Sequence, residues 1–285
     1  MPSLCADPCL SFAGAGLLSD AYGYRLCGQR YPVTPYSISV IMPSLNEAAN
    51  LTAAVNNVIE SFKTFGVRGE IVIVNDGSSD KTGEIAEGLS REHPFIQVLH
   101  HESPQGIGAS FWDGVWKSQG ETVTMVPGDG ENDAHETIRY LPLMEHVDIL
   151  IPFVYNKNIR SFKRRVLSVV YRGIINLAFG MTLNYMNGTV IYRKAILSGV
   201  TFRSKGFFYQ TELLIKTIRR GYLFAEVPYA LSQRAGGVSK ATTLRSLMKV
   251  TSNFISILTD VYIRDRGVQK IAPDSITAAR WKEIR

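Results

Sequence analysis

Cysteine is nearly absent from this chain. The three that occur, Cys5, Cys9 and Cys27, all fall in the first thirty residues. An odd count confined to one end excludes a disulfide framework and favours a reducing compartment. Cys5 and Cys9 have three residues between them and no histidine nearby, a poor zinc site. Long apolar runs are missing too. Leu10 to Leu18 is apolar, but no Lys or Arg precedes it, so it lacks the basic flank of a signal peptide. Gly173 to Tyr192 carries no charge, yet Asn176, Asn184, Asn187 and three glycines interrupt it, which argues against a membrane span. Zinc-finger spacing, an RNP pattern, dense Lys/Arg blocks, repeats and low-complexity segments are all lacking, so nucleic acid is not an expected partner.

What is present is enough apolar material for a full core, 45% of 285 residues, and a net charge of +6. That charge points to anionic partners: nucleotide phosphates, lipid phosphate or a membrane surface. The expected location is cytoplasmic, peripheral to the inner face of a membrane.

Strand and helix signals alternate. Tyr36–Met42, Glu70–Val74, Ile96–Leu99, Thr122–Val126 and Asp148–Phe153 read as strands, with Val190–Tyr192 and Phe224–Val227 further on. Helices are expected over Glu47–Phe65, Lys81–Glu92, Ala109–Ser118, Phe162–Phe179, Phe208–Arg219 and Leu244–Tyr262. This alternation predicts an α/β fold with a doubly wound, mainly parallel, Rossmann-like sheet. Ligands of such sheets gather at the carboxyl ends of the strands. The loops after Met42, Val74 and Val126 lie there. Three stretches are expected: a tail over 1–35, an α/β domain over 36–240 and an amphipathic helical segment over 241–285.

The loop after Val126 is the most informative. Pro127 and Gly128 end the strand, and Asp129, Glu131 and Asp133 follow at alternate positions. Carboxylates crowded on one loop suit a hard divalent cation, Mg²⁺ or Mn²⁺, that would also meet phosphate oxygens. A solvated acidic loop is the plain alternative.

The order SVIMPSLNEAANL, IVIVNDGSSDKT, GIGAS, MVPGDGENDAHE resembles the family 2 glycosyltransferases of the GT-A fold. YMNGTVIYRKAIL, GFFYQTELLIKTIRRGY and EVPYALSQRAGGVSK extend the likeness to the polyprenyl- and dolichyl-phosphate sugar transferases within that family, over about 36–240. The resemblance implies inverting, metal-dependent transfer of a sugar from GDP-mannose or UDP-glucose to a polyprenyl phosphate. It places Pro43, Asn46 and Glu47 in the first nucleotide-contacting loop and makes Asp76 the base-reading aspartate. Asp129 becomes the first metal carboxylate, Glu131 stands where relatives carry a second aspartate, and Asp133 is a further candidate ligand. On the residues alone, Asn46 could be only a helix cap, and Asp76 with Gly77 only turn chemistry.

For the acceptor phosphate the resemblance points to Arg164 and Ser168, four apart on one helix, and to Arg234, Ser239 and Lys240 in a glycine-rich loop. A basic solvated face and an exposed basic loop are the alternatives. Glu212 occupies the region where relatives that glycosylate hydroxyls carry a base; the second acid of their pattern is Leu213 here. A hydroxyl acceptor needs that base, whereas a lipid phosphate is already anionic. Glu212 is therefore a candidate catalytic base, or else an acceptor-side or structural acid pairing with a nearby arginine. Relatives often continue into membrane or interface helices where Leu244–Tyr262 stands, and the catalytic domain or a second subunit is the other expected cover for its apolar stripe. A non-catalytic nucleotide-sugar-binding protein is the competing class. A nucleotidyltransferase is disfavoured, because no glycine-rich loop of its kind follows the first strand.

Overall fold

The computed structural model describes residues 37–156, 162–230, 254–264 and 271–284. Arg234, Ser239, Lys240, the expected tail 1–35 and the first part of the expected helix from Leu244 lie outside the described residues. The side chain of Arg164 does so as well.

Seven strands form one sheet: β1 (Ile38–Ser44), β2 (Gly69–Asn75), β3 (Ile96–His100), β4 (Thr122–Met125), β5 (Ile149–Val154), β6 (Ile191–Arg193) and β7 (Phe224–Tyr229). Their spatial order is β3-β2-β1-β4-β6-β5-β7. All run parallel except β6, which is antiparallel to both its neighbours. The chain winds outward from β1 to β3 and then returns to the other side of β1 as β4. The crevice between β1 and β4 is the topological switch point, where such sheets hold ligands. Pro228, expected to close the last strand, sits within β7. That strand bonds only to β5 and so lies at the sheet's edge, where a missing N–H is tolerated.

Side-chain alternation along the strands divides the core in two. Val40 and Met42 of β1 face one cluster with α1 (Leu51–Phe65) and α2 (Thr82–Glu92). Ile41 faces the other, with α3 (Ile107–Lys117), α5 (Phe162–Phe179) and α6 (Tyr209–Arg219). The α4 turn (His135–Ile138) follows the acidic loop. The central strands are covered on both sides, as their near-continuous apolar runs require.

The C-terminal elements pack on this body. Helix α7 (254–259) passes into a π turn, Asp260–Arg264. Ile257 is buried, and Phe254, Leu258 and Val261 lie against the α5–α6 side of the core. Over the described residues the stripe is divided: Phe254, Leu258 and Val261 meet the catalytic domain, one of its expected covers, while Ile255 is 58% exposed. Asp260 is buried and paired with Arg203 at 3.1 Å. Helix α8 (Ile276–Ile284) is pinned by Asp148, directly before β5. That buried carboxylate accepts the Ile276 and Thr277 amides at 2.8 and 3.0 Å, the Thr277 hydroxyl, and the Arg193 guanidinium at 3.2 Å. A buried charge needs such a full set of partners.

Candidate active site

Three loops at the carboxyl edge are knit into one surface. The amides of Asn46, Glu47 and Ala48 donate to the Ser78 hydroxyl, the Thr82 hydroxyl and the Asp80 carboxylate at 3.0, 2.8 and 3.2 Å. Asn46 Oδ1 accepts the Ser79 amide at 2.9 Å. Asn46 has φ +57 and does not cap α1, which starts only at Leu51. Asparagine tolerates that left-handed backbone and uses its side chain to hold the neighbouring loop. Glu47 is half-buried and its side chain accepts from Asn50. Pro43 is buried inside β1, where its carbonyl receives the Gly128 amide at 3.0 Å. The Asp80 carboxyl lies below its ordinary range. The Thr82 hydroxyl is the first cause, desolvation opposes it, and the Thr82 and Ala48 amides add to it.

Asp76 is 4% exposed. Its Oδ1 accepts the Gln105 amide at 2.7 Å and faces His101 Nδ1 at 2.7 Å, and its Oδ2 accepts the Gly106 amide at 2.9 Å. Gly77 makes this closeness possible. It has φ +68, and a Cβ there would lie 2.6 Å from the Ser103 backbone.

The acidic loop leaves β4 beside β1. Val126 and Gly128 donate to the Ile41 and Pro43 carbonyls at 2.9 and 3.0 Å. Gly130, at φ +70, turns the chain between the two carboxylates. The Glu131 amide donates to Asp129 Oδ1 at 3.0 Å. Asp133 departs from the expected trio. Its Oδ1 accepts from Asn57 of α1 and from the His135 amide, both at 3.0 Å, so it caps α4 and ties the loop to α1. Among the described residues, no three acidic, histidine or cysteine side chains surround a common cation position. Asp129 and Glu131 remain as a pair. Two partly exposed carboxylates fit a hard cation whose other ligands are water and diphosphate oxygens.

On the other side of the switch point, Pro152 and Val154 of β5 and Tyr229 of β7 help frame a small recess of about 40 Å³ whose lining also includes Asn132, Tyr185 and Thr189. Burial raises the Tyr229 phenol above its ordinary range. Helix α5 spans Phe162–Phe179 as expected, but its apolar residues are divided. Ile175 and Phe179 face the core, while Val166, Leu167, Val169, Val170 and Ile174 are about half exposed and Leu177 is 88% exposed. Ser168 is half-buried on this helix. Arg172 donates to the Asn184 carbonyl at 2.9 Å.

Glu212 is 0% exposed. Its Oε1 meets Lys216 Nζ at 2.7 Å, and its Oε2 accepts the Ser204 amide at 2.9 Å. Lys216 also donates to the Thr201 carbonyl at 2.7 Å. A general base must reach the proton it removes. A carboxylate sealed in an ion pair has the structural alternative's geometry, with lysine in place of the expected arginine. The i, i+4 spacing of Glu212 and Lys216 on a helix was a readable signal for this pair. The His100–His101 pair after β3 was another, since it lies on the same ligand-binding edge.

A mainly parallel sheet with one antiparallel strand, and a carboxylate pair on the loop at its switch point, place the chain in the GT-A-like α/β class. Solved structures of glucosyl-3-phosphoglycerate synthase from Mycobacterium tuberculosis share the fold. One in complex with UDP superposes with a TM-score of 0.55 at 20% identity over 79% of each chain. Another, holding Mn²⁺, UDP and glucosyl-3-phosphoglycerate, gives 0.52 at 20% identity with the same coverage.

Residues 39–211 match the model of glycosyl transferase family 2, and the chain belongs to that family. It is a glycosyltransferase. A polyprenol monophosphomannose synthase of Mycolicibacterium smegmatis is 29% identical over 214 residues, 70% of this chain and 79% of that protein. Glycosyltransferase AglD of Haloferax volcanii is 22% identical over 254 residues, covering 82% of this chain and 39% of that longer protein.

Proposed function

We propose that this glycosyltransferase moves a hexose from a nucleotide sugar to a polyprenyl phosphate, with inversion at the anomeric carbon. The observation that carries this reading is α5. Its sequence has four cations, Lys163, Arg164, Arg165 and Arg172, and no acid, while a broad face of Val, Leu and Ile is turned outward. Cations beside exposed apolar side chains suit a lipid whose head is a phosphate, and a protein that meets the membrane surface. No helix among the described residues is long and apolar enough to cross a membrane. The name of the mycobacterial relative agrees with this acceptor class.

The buried Glu212–Lys216 pair supports the same choice. A phosphate acceptor is already ionised, so no base is needed at that position. In the proposed reaction an acceptor phosphate oxygen attacks the anomeric carbon as its bond to the donor diphosphate breaks. The bonding electrons leave with the nucleoside diphosphate. The loops after β1 and β2 hold the nucleotide, and Asp76 reads the base. Asp129 and Glu131 would hold Mg²⁺ or Mn²⁺, which when bound offsets charge on the leaving diphosphate. We assign Asp133 to holding the loop rather than to the cation. Arg164, Ser168, Arg234, Ser239 and Lys240 remain the proposed contacts to the acceptor phosphate. GDP-mannose and UDP-glucose are the donors to test.

The test is nucleoside diphosphate release from both donors, with and without a short polyprenyl phosphate, in Mg²⁺ or Mn²⁺. Asp129→Ala controls for contaminating hydrolysis. Release that needs the lipid phosphate supports the reading. Release driven instead by a hydroxylated acceptor such as phosphoglycerate would replace it with the second reading, transfer to a hydroxyl.

A further inference from the structure

One buried side chain at the nucleotide edge has no part in this reading. His101 follows β3, and its side chain is mostly buried between two carboxylates. Nδ1 lies 2.7 Å from Asp76 Oδ1, and Nε2 lies 3.1 Å from Asp113 Oδ2 of α3. Its own amide donates to the Asn75 carbonyl at 2.9 Å, so its backbone is fixed to the end of β2. An ionised carboxylate only accepts, so a ring nitrogen that carries hydrogen donates to the carboxylate it faces.

The acceptor positions of Asp76 can be counted. Each carboxylate oxygen offers about two. On Oδ1 both are taken, by His101 and by the Gln105 amide. On Oδ2 one is taken, by the Gly106 amide. A single acceptor position remains. The three donors also bind the 101–106 loop to the 75–78 turn, where Gly77 allows backbone to meet backbone.

We propose that His101 is a positioning residue of the nucleotide site: it orients Asp76 so that one Oδ2 position is left for a single N–H of the nucleobase. This rests on the reading of the edge as a nucleotide site. It deepens that reading by naming the group recognised, a lone ring N–H such as that of uracil or guanine. Asp113, 47% exposed at its side chain, steadies His101 from the solvent side.

The test uses the full chain with Mg²⁺. UDP and GDP binding is measured by calorimetry for the unsubstituted protein and for His101→Ala, His101→Asn and Asp113→Asn. Donor KM and kcat follow on the same set, and hydrogen exchange is read on the peptide spanning 101–108. His101→Ala is expected to weaken nucleotide binding and raise donor KM about tenfold, the worth of a charge-assisted hydrogen bond, with kcat within about twofold. Asparagine restores one donor and should recover part of the loss. Asp113→Asn should change affinity about twofold, as an exposed pair does. Unchanged affinity together with unchanged exchange in His101→Ala overturns the proposal. So does an equal fall in kcat with no change in KM. If the unsubstituted protein binds neither nucleotide, the nucleotide-site reading fails by itself. The exchange data then decide the rest: faster exchange in His101→Ala upholds the loop-setting role, and equal exchange removes it.

Discussion

The two halves of the carboxyl edge are built on opposite terms. The half above β1 to β3, proposed to hold the nucleotide, is closed on itself by hydrogen bonds. Three successive amides, Asn46 to Ala48, bond to the loop after β2 and the start of α2, and Asp76 is held by the loop after β3. The half around α5, proposed to meet the acceptor, leaves large apolar side chains uncovered, Leu177 above all. The difference matches the ligands proposed for each. A nucleotide is recognised by a few aimed polar groups, which must be fixed beforehand. A lipid chain is held by area, which needs no fixed geometry but must be exposed.

The largest expected break in this contrast is Asp129→Ala. It should lower kcat/KM about a thousandfold, or about 4 kcal/mol of transition-state stabilisation, while leaving the melting temperature within a few degrees. Steady-state nucleoside diphosphate release with a denaturation scan checks both parts. Next is Lys216→Met, which leaves Glu212 buried without its cation. A loss of about 3 kcal/mol of stability is expected in denaturant titration. Adding Glu212→Gln should restore much of it. A catalytic-base role for Glu212 predicts the reverse for Glu212→Gln alone, an intact fold with kcat abolished.

A smaller effect sharpens the acceptor side. Val170→Ser with Ile174→Ser should leave stability within about 0.5 kcal/mol, because both side chains are already half exposed. The KM for polyprenyl phosphate should rise about tenfold, and binding to anionic vesicles should weaken in sedimentation. No change in either would remove α5 from the acceptor surface. The smallest effect belongs to Asp80. Its folded carboxyl is depressed, so its contribution is present above the ordinary value of 3.8 and is lost as pH falls through the lowered one. Asp80→Asn should therefore reduce, slightly, the acid-side fall in denaturation midpoint between about pH 5 and pH 3.

Much of the sheet was legible because its signals are local. EIVIV and TVTM are short β-branched runs bounded by turn residues, and a parallel strand buried on both faces needs such a run. The limits of α5 coincide with its apolar and basic stretch, Phe162–Phe179. The acidic loop announced itself through Pro127, Gly128 and the carboxylates after them. Asn46 shows where local reading stops. A helix-capping residue by pattern, it takes a left-handed backbone and bonds to Ser79, thirty-three positions away. Asp133 shows the same: its spacing from Asp129 and Glu131 implied a shared cation, but Asn57 of α1 draws it aside.

The sequence by itself determined the alternation of strands and helices, the family and the loops that carry the chemistry. These follow from residue type and period, which act over a few positions along the chain. Only the tertiary structure decided what these carboxylates meet. Asp129, Glu131 and Asp133 all stay partly exposed, with Asp133 bonded to Asn57 of α1, while Glu212 is sealed against Lys216. All four are acids in motif-like settings; burial sets Glu212 apart from the rest, and the nearest donor sets Asp133 apart from its loop neighbours.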